Sequence, residues 1–262
     1  MPDTFINQDT TAIEVIYFLG GSTMYGVNVT DRETIASAFV NAYQQQFPRG
    51  VSIKVVNYGI PAYHSYNELM LLSHLVYSGR SPGVVIMLDG LNDFLMPVAA
   101  KERLPYYYYR LKLASKDKIS FKELAQIADS TETLYTSPAG YTAKALTDSL
   151  VKNYLSNLNQ VNKLSVSNGF KAFCFIQPNP FYNYPNKKHD PVCDQLEYPL
   201  VTSGYALLAS RSSSVENCFF LGNMLANEKG FPFIDRFHYS PEMCKRIAAE
   251  LVGVVGERIN KP

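Results

Sequence analysis

Two short segments at opposite ends of the chain hold the residues best suited to covalent chemistry: Gly20-Gly21-Ser22-Thr23-Met24-Tyr25-Gly26 and Asp235-Arg236-Phe237-His238. A serine placed directly after an apolar, strand-like run and inside a glycine-flanked turn stands where an α/β protein presents a nucleophile. A histidine with an aspartate three positions before it, in a loop after a late strand, supplies a base already held by its orienting carboxylate. Neither segment is specific alone. A serine in Gly-Gly-Ser-Thr is also an ordinary turn or cap residue, and an Asp–His pair is a common surface contact.

What gives the two segments meaning is the set of elements that must position them. Ile13 to Leu19 is short, apolar and rich in β-branched and aromatic residues, a buried strand that ends at the glycines. Asp31 to Gln46 has helical period, with Ile35, Ala36, Phe39, Val40 and Tyr43 on one face and Pro48 as a stop. Val51 to Asn57 reads as a second strand, Asn67 to Tyr77 as a second helix, and Val84 to Leu88 as a third strand. Strand, helix, strand, helix, strand in succession argues for a parallel sheet with helices on both faces. Regularity lapses from about 97 to 143, an expected insertion with Tyr106 to Tyr109 and a short helix at Phe121 to Ala128. A long helix from about Thr142 to Ser167 follows, capped by Asn168-Gly169. Phe170 to Ile176 is the fourth strand, a helical stretch covers Leu200 to Ala209, and Phe219 to Leu221 or Phe231 to Ile234 supplies the last strand. Pro241 to Val255 closes the chain as an amphipathic helix begun by Ser240-Pro241.

In an open parallel sheet, ligands bind beyond the carboxyl ends of the strands, and each candidate motif falls at such an end. Ser22 follows strand one, Gly59 in Asn57-Tyr58-Gly59-Ile60-Pro61 follows strand two, and Asn92 in Asp89-Gly90-Leu91-Asn92-Asp93 follows strand three. Asp235 and His238 follow the last strand. Brought to one edge, these groups suit acyl transfer. Ser22 Oγ attacks a carbonyl, His238 takes its proton, and Asp235 holds the useful tautomer. The Ser22 and Gly59 backbone N–H groups and the Asn92 amide would form the oxyanion hole, where one donor is worth about 3–4 kcal/mol.

The four motifs resemble those of the SGNH hydrolases, the GDSL-type esterases and lipases, whose blocks carry Ser, Gly, Asn and His in this order. The resemblance spans nearly the whole chain and implies a flavodoxin-like three-layer α/β/α sandwich with a mostly parallel five-stranded sheet, in one domain over 1–262. It further implies a metal-free serine esterase, working through an acyl-enzyme on carboxylic esters, with short-chain acyl or O-acetyl esters favoured. An O-acyltransferase acting on a glycan with the same triad and a catalytically silent glycan-binding module are the alternatives. One departure is visible: the Asp that usually precedes the serine is Gly21 here.

Around this core set, Tyr25 and His64 are candidate substrate contacts, with packing as the competing role of the tyrosine. His74 falls in a helix and reads as structural. No metal-ligand spacing is present and no cofactor is implied. With 24 Lys and Arg against 23 Asp and Glu, nothing points to nucleic acid as a partner; the expected partner is a small-molecule or carbohydrate ester. Of the four cysteines, Cys174 and Cys244 lie in apolar runs that suit buried thiols, while Cys193 and Cys218 are candidates for a disulfide in an oxidising compartment. No stretch is apolar enough to span a bilayer, and Met1-Pro2-Asp3-Thr4 does not open a signal peptide. This fits a cytoplasmic protein if the chain is complete and an extracytoplasmic one if it is a domain of a longer protein.

Overall fold

The computed structural model describes residues 3–6, 13–95, 143–191 and 198–260. Its centre is a six-stranded sheet in the order β1-β3-β2-β4-β5-β6. The strands are β1 (Asp3–Ile6), β2 (Ile13–Gly20), β3 (Ser52–Asn57), β4 (Val84–Asp89), β5 (Lys171–Ile176) and β6 (Cys218–Phe220). Strands β2 to β6 are mutually parallel, as expected. The sixth strand, β1, pairs antiparallel with β3 at one edge; four residues are too few for a period-two pattern to declare itself.

The helices are α1 (Ser22–Tyr25), α2 (Ile35–Gln46), α3 (Ser65–Tyr77), α4 (Leu91–Leu95), α5 (Ala143–Asn168), α6 (Pro199–Arg211) and α7 (Pro241–Asn260). Strand alternation sorts the core into two layers. Ile16, Phe18, Ile86, Leu88, Phe173 and Phe175 face one way, onto Phe39 and Tyr43 of α2 and Ile247, Leu251 and Val255 of α7. Tyr17, Leu19, Val85, Met87, Cys174 and Ile176 face the other, onto Leu72 and Leu75 of α3, Tyr154 and Leu158 of α5 and Tyr205 of α6. Both faces are covered, which is why these strands read as nearly continuous apolar runs. The result is a three-layer α/β/α sandwich.

β2 lies between β3 and β4, the strands that follow it. The chain therefore turns to one side of β2 and then crosses to the other, and the crevice this opens lies at the carboxyl end of β2. Ser22 sits there.

The last strand is Cys218–Phe220; Phe233 makes only a single antiparallel bridge, to Tyr239. Asp235 and His238 thus do not leave a strand end directly: a 3-10 turn over Gly222–Leu225 and a loop intervene. The expected insertion, with Tyr106 to Tyr109 and the helix at Phe121 to Ala128, lies outside the described residues, as does Cys193. Cys174, Cys218 and Cys244 are thiols, and burial pushes Cys218 and Cys244 up to about 12. No helix among the described residues is long and apolar enough to cross a membrane.

Candidate active site

β2 runs out of hydrogen-bonded neighbours at Gly20, and the chain enters the single helical turn of α1 with Ser22 as its first residue. The turn winds tightly onto the serine itself. Ser22 C=O accepts from Gly26 N–H and Val27 N–H, both at 3.1 Å, and Gly26 takes the left-handed backbone (φ 91°) that ends the turn. Ser22 is half-buried, Thr23 and Met24 are buried, and Tyr25 is 52% exposed beside them. The N–H groups of a first helical turn have no intrahelical acceptor, so the Ser22 amide is presented at the same edge as its hydroxyl.

The end of β3 clamps this turn. Buried Asn57 donates from Nδ2 to Met24 C=O at 2.9 Å, and its Oδ1 accepts Gly59 N–H at 2.9 Å. Ile60 N–H reaches back to Gly20 C=O at 3.0 Å. A Cβ on Gly59 would lie 2.4 Å from Tyr25 N and 2.7 Å from Met24 C, so only glycine lets the two backbones come this close. Gly59 thus sits directly against the serine turn, where its N–H is bonded to Asn57 Oδ1.

Asn92 comes from α4, entered through Gly90. Its Nδ2 donates to Tyr63 C=O at 2.7 Å, which uses one of two amide hydrogens. Gly21 lies directly under this group: a Cβ there would be 2.7 Å from Asn92 Nδ2 and 3.1 Å from Tyr63 C=O. Asn92 and Ser22 are therefore neighbours across Gly21. Next to Asn92, the Asp93 carboxylate accepts from Ser65 N–H (3.2 Å) and Ser65 Oγ–H (2.5 Å) and so fixes the start of α3. His64 precedes Ser65, stacks on Tyr66 with ring centroids 6.5 Å apart, and offsets part of the rise that burial imposes on the Asp93 carboxyl. His64 thus has a structural neighbour as well as a place near the cleft; His74 lies in α3, as expected of a structural residue.

The histidine loop is held shut by Ile234 N–H on His238 C=O (2.9 Å) and Ser240 N–H on Pro232 C=O (2.8 Å). Inside it, Asp235 Oδ1 accepts the N–H groups of Phe237 and His238, both at 2.9 Å. His238 Nδ1 lies 2.8 Å from Asp235 Oδ1 and 2.6 Å from Oδ2. A carboxylate can only accept, so Nδ1 carries the hydrogen and Nε2 is the basic nitrogen. Burial pushes the Asp235 carboxyl up, but the two backbone N–H groups and the imidazole outweigh it and hold the group below the usual range. Asp235 is the ionised partner. Among the described residues no hydrogen bond joins Ser22 Oγ to His238; such contacts often tighten only in the substrate complex.

Two connections between the serine turn and the histidine loop have no trace in the motif reading. Asn28 Nδ2 donates to Asp235 Oδ2 at 2.6 Å. Deeper, Thr23 Oγ1 donates to Gln177 Oε1 at 3.3 Å, and Tyr239 O–H donates to the adjoining Pro178 C=O at 2.5 Å. The signal for Gln177 was available: a polar residue continuing an apolar strand toward two prolines, and hence buried at the sheet edge. Among the described residues no three His, Cys, Asp or Glu side chains cluster to hold a metal ion.

A serine at the switch point of a parallel α/β/α sandwich, with an Asp–His pair delivered to the same edge, defines a serine-hydrolase class of site. The chain belongs to the GDSL-like lipase/acylhydrolase family, whose model matches residues 16–251, and it is a serine ester hydrolase. No curated protein sequence matches it. Its fold is similar to that of TesA (14% identity, TM-score 0.54, 94% of this chain and 99% of that one). It is also similar to an acetyl xylan esterase, AlAXEase (13%, TM-score 0.51, 92% and 99%). A catalytic mutant of Axe2, an acetylxylan esterase from Geobacillus stearothermophilus, is a third similar structure (15%, TM-score 0.51, 95% and 97%).

Proposed function

We propose that the chain hydrolyses carboxylic esters by way of an acyl-enzyme, with Ser22 as nucleophile, His238 as general base and then acid, and Asp235 as the orienting carboxylate. The observation that carries this reading is the Asp235–His238 pair, with Nδ1–H on the carboxylate, in a loop tied through Asn28 to the turn that begins at Ser22. His238 Nε2 accepts the Ser22 proton as Oγ adds to the ester carbonyl. The tetrahedral oxygen takes the Ser22 N–H and the second hydrogen of the Asn92 amide, with the Gly59 N–H, shared with Asn57 Oδ1, as the third donor. Collapse expels the alcohol, which leaves with the proton from Nε2, and water repeats the sequence on the acyl-enzyme.

Short acyl groups, O-acetyl esters first, are the favoured substrates. Tyr25 and Asn28 in and after the serine turn and Arg236 in the histidine loop are exposed, amphipathic or polar groups that suit a hydroxylated alcohol. The test is hydrolysis of p-nitrophenyl esters from acetate to decanoate by wild type and Ser22→Ala, with a fluorophosphonate probe for the serine. The expected result is a short-chain optimum, probe on Ser22, and a loss of at least about a thousandfold in the variant. A folded Ser22→Ala protein with full activity would overturn the reading.

A further inference from the structure

Asp235 receives hydrogen bonds from Phe237 N–H, His238 N–H and His238 Nδ1–H, all from its own loop. Among the described residues one donor comes from elsewhere in the chain, and that is Asn28 Nδ2, 207 positions away in sequence and 2.6 Å away in space. The Asn28 backbone is left-handed (φ 67°), a conformation that Asn tolerates better than most residues. It follows Val27, whose N–H is bonded to Ser22 C=O. A short covalent and hydrogen-bonded path therefore runs from Ser22 through Val27 and Asn28 to Asp235 and His238.

We infer that Asn28 is a positioning residue for the triad, acting through Asp235; this rests on the reading of Ser22, Asp235 and His238 given above. Two effects follow from its donor. The first is geometric. The serine turn and the histidine loop come from different ends of the chain, and Asn28 fixes the carboxylate of one against the backbone of the other, which sets the reach of the imidazole toward Ser22. The second is electronic. An amide N–H on Oδ2 withdraws part of the negative charge that would otherwise act on the imidazole, so Asn28 moderates how strongly Asp235 stabilises the imidazolium form.

The left-handed backbone makes two substitutions clean. Asn28→Gly removes the donor and keeps the turn, since glycine meets φ 67° without strain. Asn28→Asp keeps the shape and replaces the donor by an acceptor beside a second carboxylate. Asn28 is exposed, so both proteins are expected to fold. Expected for Asn28→Gly is a fall of about tenfold in kcat with KM within about twofold of wild type, the size of one charge-assisted hydrogen bond. Expected for Asn28→Asp is a displacement of the acid limb of kcat/KM upward by about one pH unit, from the added negative charge near the imidazole. A turn residue whose side chain does not lie against Asp235 in solution would leave that limb where it is. Wild-type kcat in Asn28→Gly together with an unmoved acid limb in Asn28→Asp would overturn the inference while leaving the Ser22 reading intact; full activity of Ser22→Ala would remove the reading itself.

Discussion

Glu68 of α3 and Asp89 at the end of β4 meet in the core, and three of their four carboxyl oxygens have no hydrogen bond to any group outside the pair: both of Glu68 and Oδ2 of Asp89. The fourth, Asp89 Oδ1, accepts Tyr154 O–H at 2.5 Å. Two carboxylates cannot bond each other, whereas an acid and a carboxylate can. Burial first, then the charges of Asp89 and Asp93, push Glu68 well above the carboxylate range, so Glu68 is the protonated member and donates to Asp89. Burial first and then Asp93 raise Asp89 to about 7, while its bonds from Glu68 and Tyr154 hold it lower. His64 beside Asp93, Tyr205 of α6, Cys174 of β5 and Cys218 of β6 complete the titratable surroundings. Asp89 lies three residues before Asn92, so this shared proton sits under the loop that carries a candidate oxyanion donor.

Raised carboxyl pKa values make stability fall as pH rises. The native state holds protons that the unfolded chain has released above about pH 4, so stability is lost as pH climbs from about 4 through 7 and beyond. In Glu68→Gln the amide donates to Asp89 at every pH, and the part of this pH dependence that Glu68 contributes disappears, while the part from buried Asp89 remains. The check is urea denaturation at pH 5, 7 and 9, with a steeper decline in wild type than in the variant. Parallel curves would show that no proton is shared.

Gly21 separates Ser22 from Asn92, and its missing Cβ is where the Asn92 amide lies, at 2.7 Å. That contact also gives a physical reason for the absence of the aspartate that commonly precedes the serine in related sequences. Here any side chain at 21 would push Asn92 off Tyr63 C=O. Gly21→Ala is expected to retain its fold and lose about 10²-fold in kcat toward a short ester, the scale of one oxyanion donor. A kcat within twofold of wild type would mean that Asn92 does not serve the transition state.

How much of this was legible in the sequence follows from what each feature depends on. Ser22 and Asn92 could be placed at strand ends because strand runs announce their own ends, whereas the switch point needed the strand order, which only the fold supplies. Gly59 was legible as a residue that suits a close backbone approach, but its bond to Asn57 Oδ1 was not, since only the fold turns that oxygen back. Glu68 could have been noticed. It shares a helical face with Leu69, Leu72, Leu75 and Val76, all buried, and an acid on an apolar face has to find a partner or a proton. Asn28 had no such mark: in sequence it is an ordinary turn residue, and its meaning lies wholly in a contact with Asp235.

Gly59→Ala tests the other close approach. The atoms in the way are backbone, Tyr25 N at 2.4 Å and Met24 C at 2.7 Å, and backbone cannot swing aside as a flexible side chain can. The turn must shift, at an expected cost of about 1–3 kcal/mol in stability. Activity should fall with it because Ser22 rides on the same turn. Thermal unfolding and ester hydrolysis on one preparation check both, and a stability within a few tenths of a kcal/mol of wild type would show that α1 moves freely against β3.

Asp235→Asn separates orientation from mere contact. The Oδ1 position must still accept two backbone N–H groups, from Phe237 and His238, so the new NH₂ falls at the Oδ2 position. There it faces two donors at once: His238 Nδ1–H and Asn28 Nδ2, each 2.6 Å from Oδ2. The imidazole answers by moving its hydrogen to Nε2, the nitrogen that has to accept the Ser22 proton, and the base is lost. A fall of about 10³–10⁴-fold in kcat at pH 7 is expected, with Asn28→Gly adding little on top because its partner is already disrupted. Lowered in the native state, the Asp235 carboxyl contributes stability above the unfolded value of about 4, and that contribution is lost as pH falls through its folded value. The variant should therefore lose less stability than wild type on acidification. A double variant in which the two losses simply multiplied would show that Asn28 acts somewhere other than through Asp235.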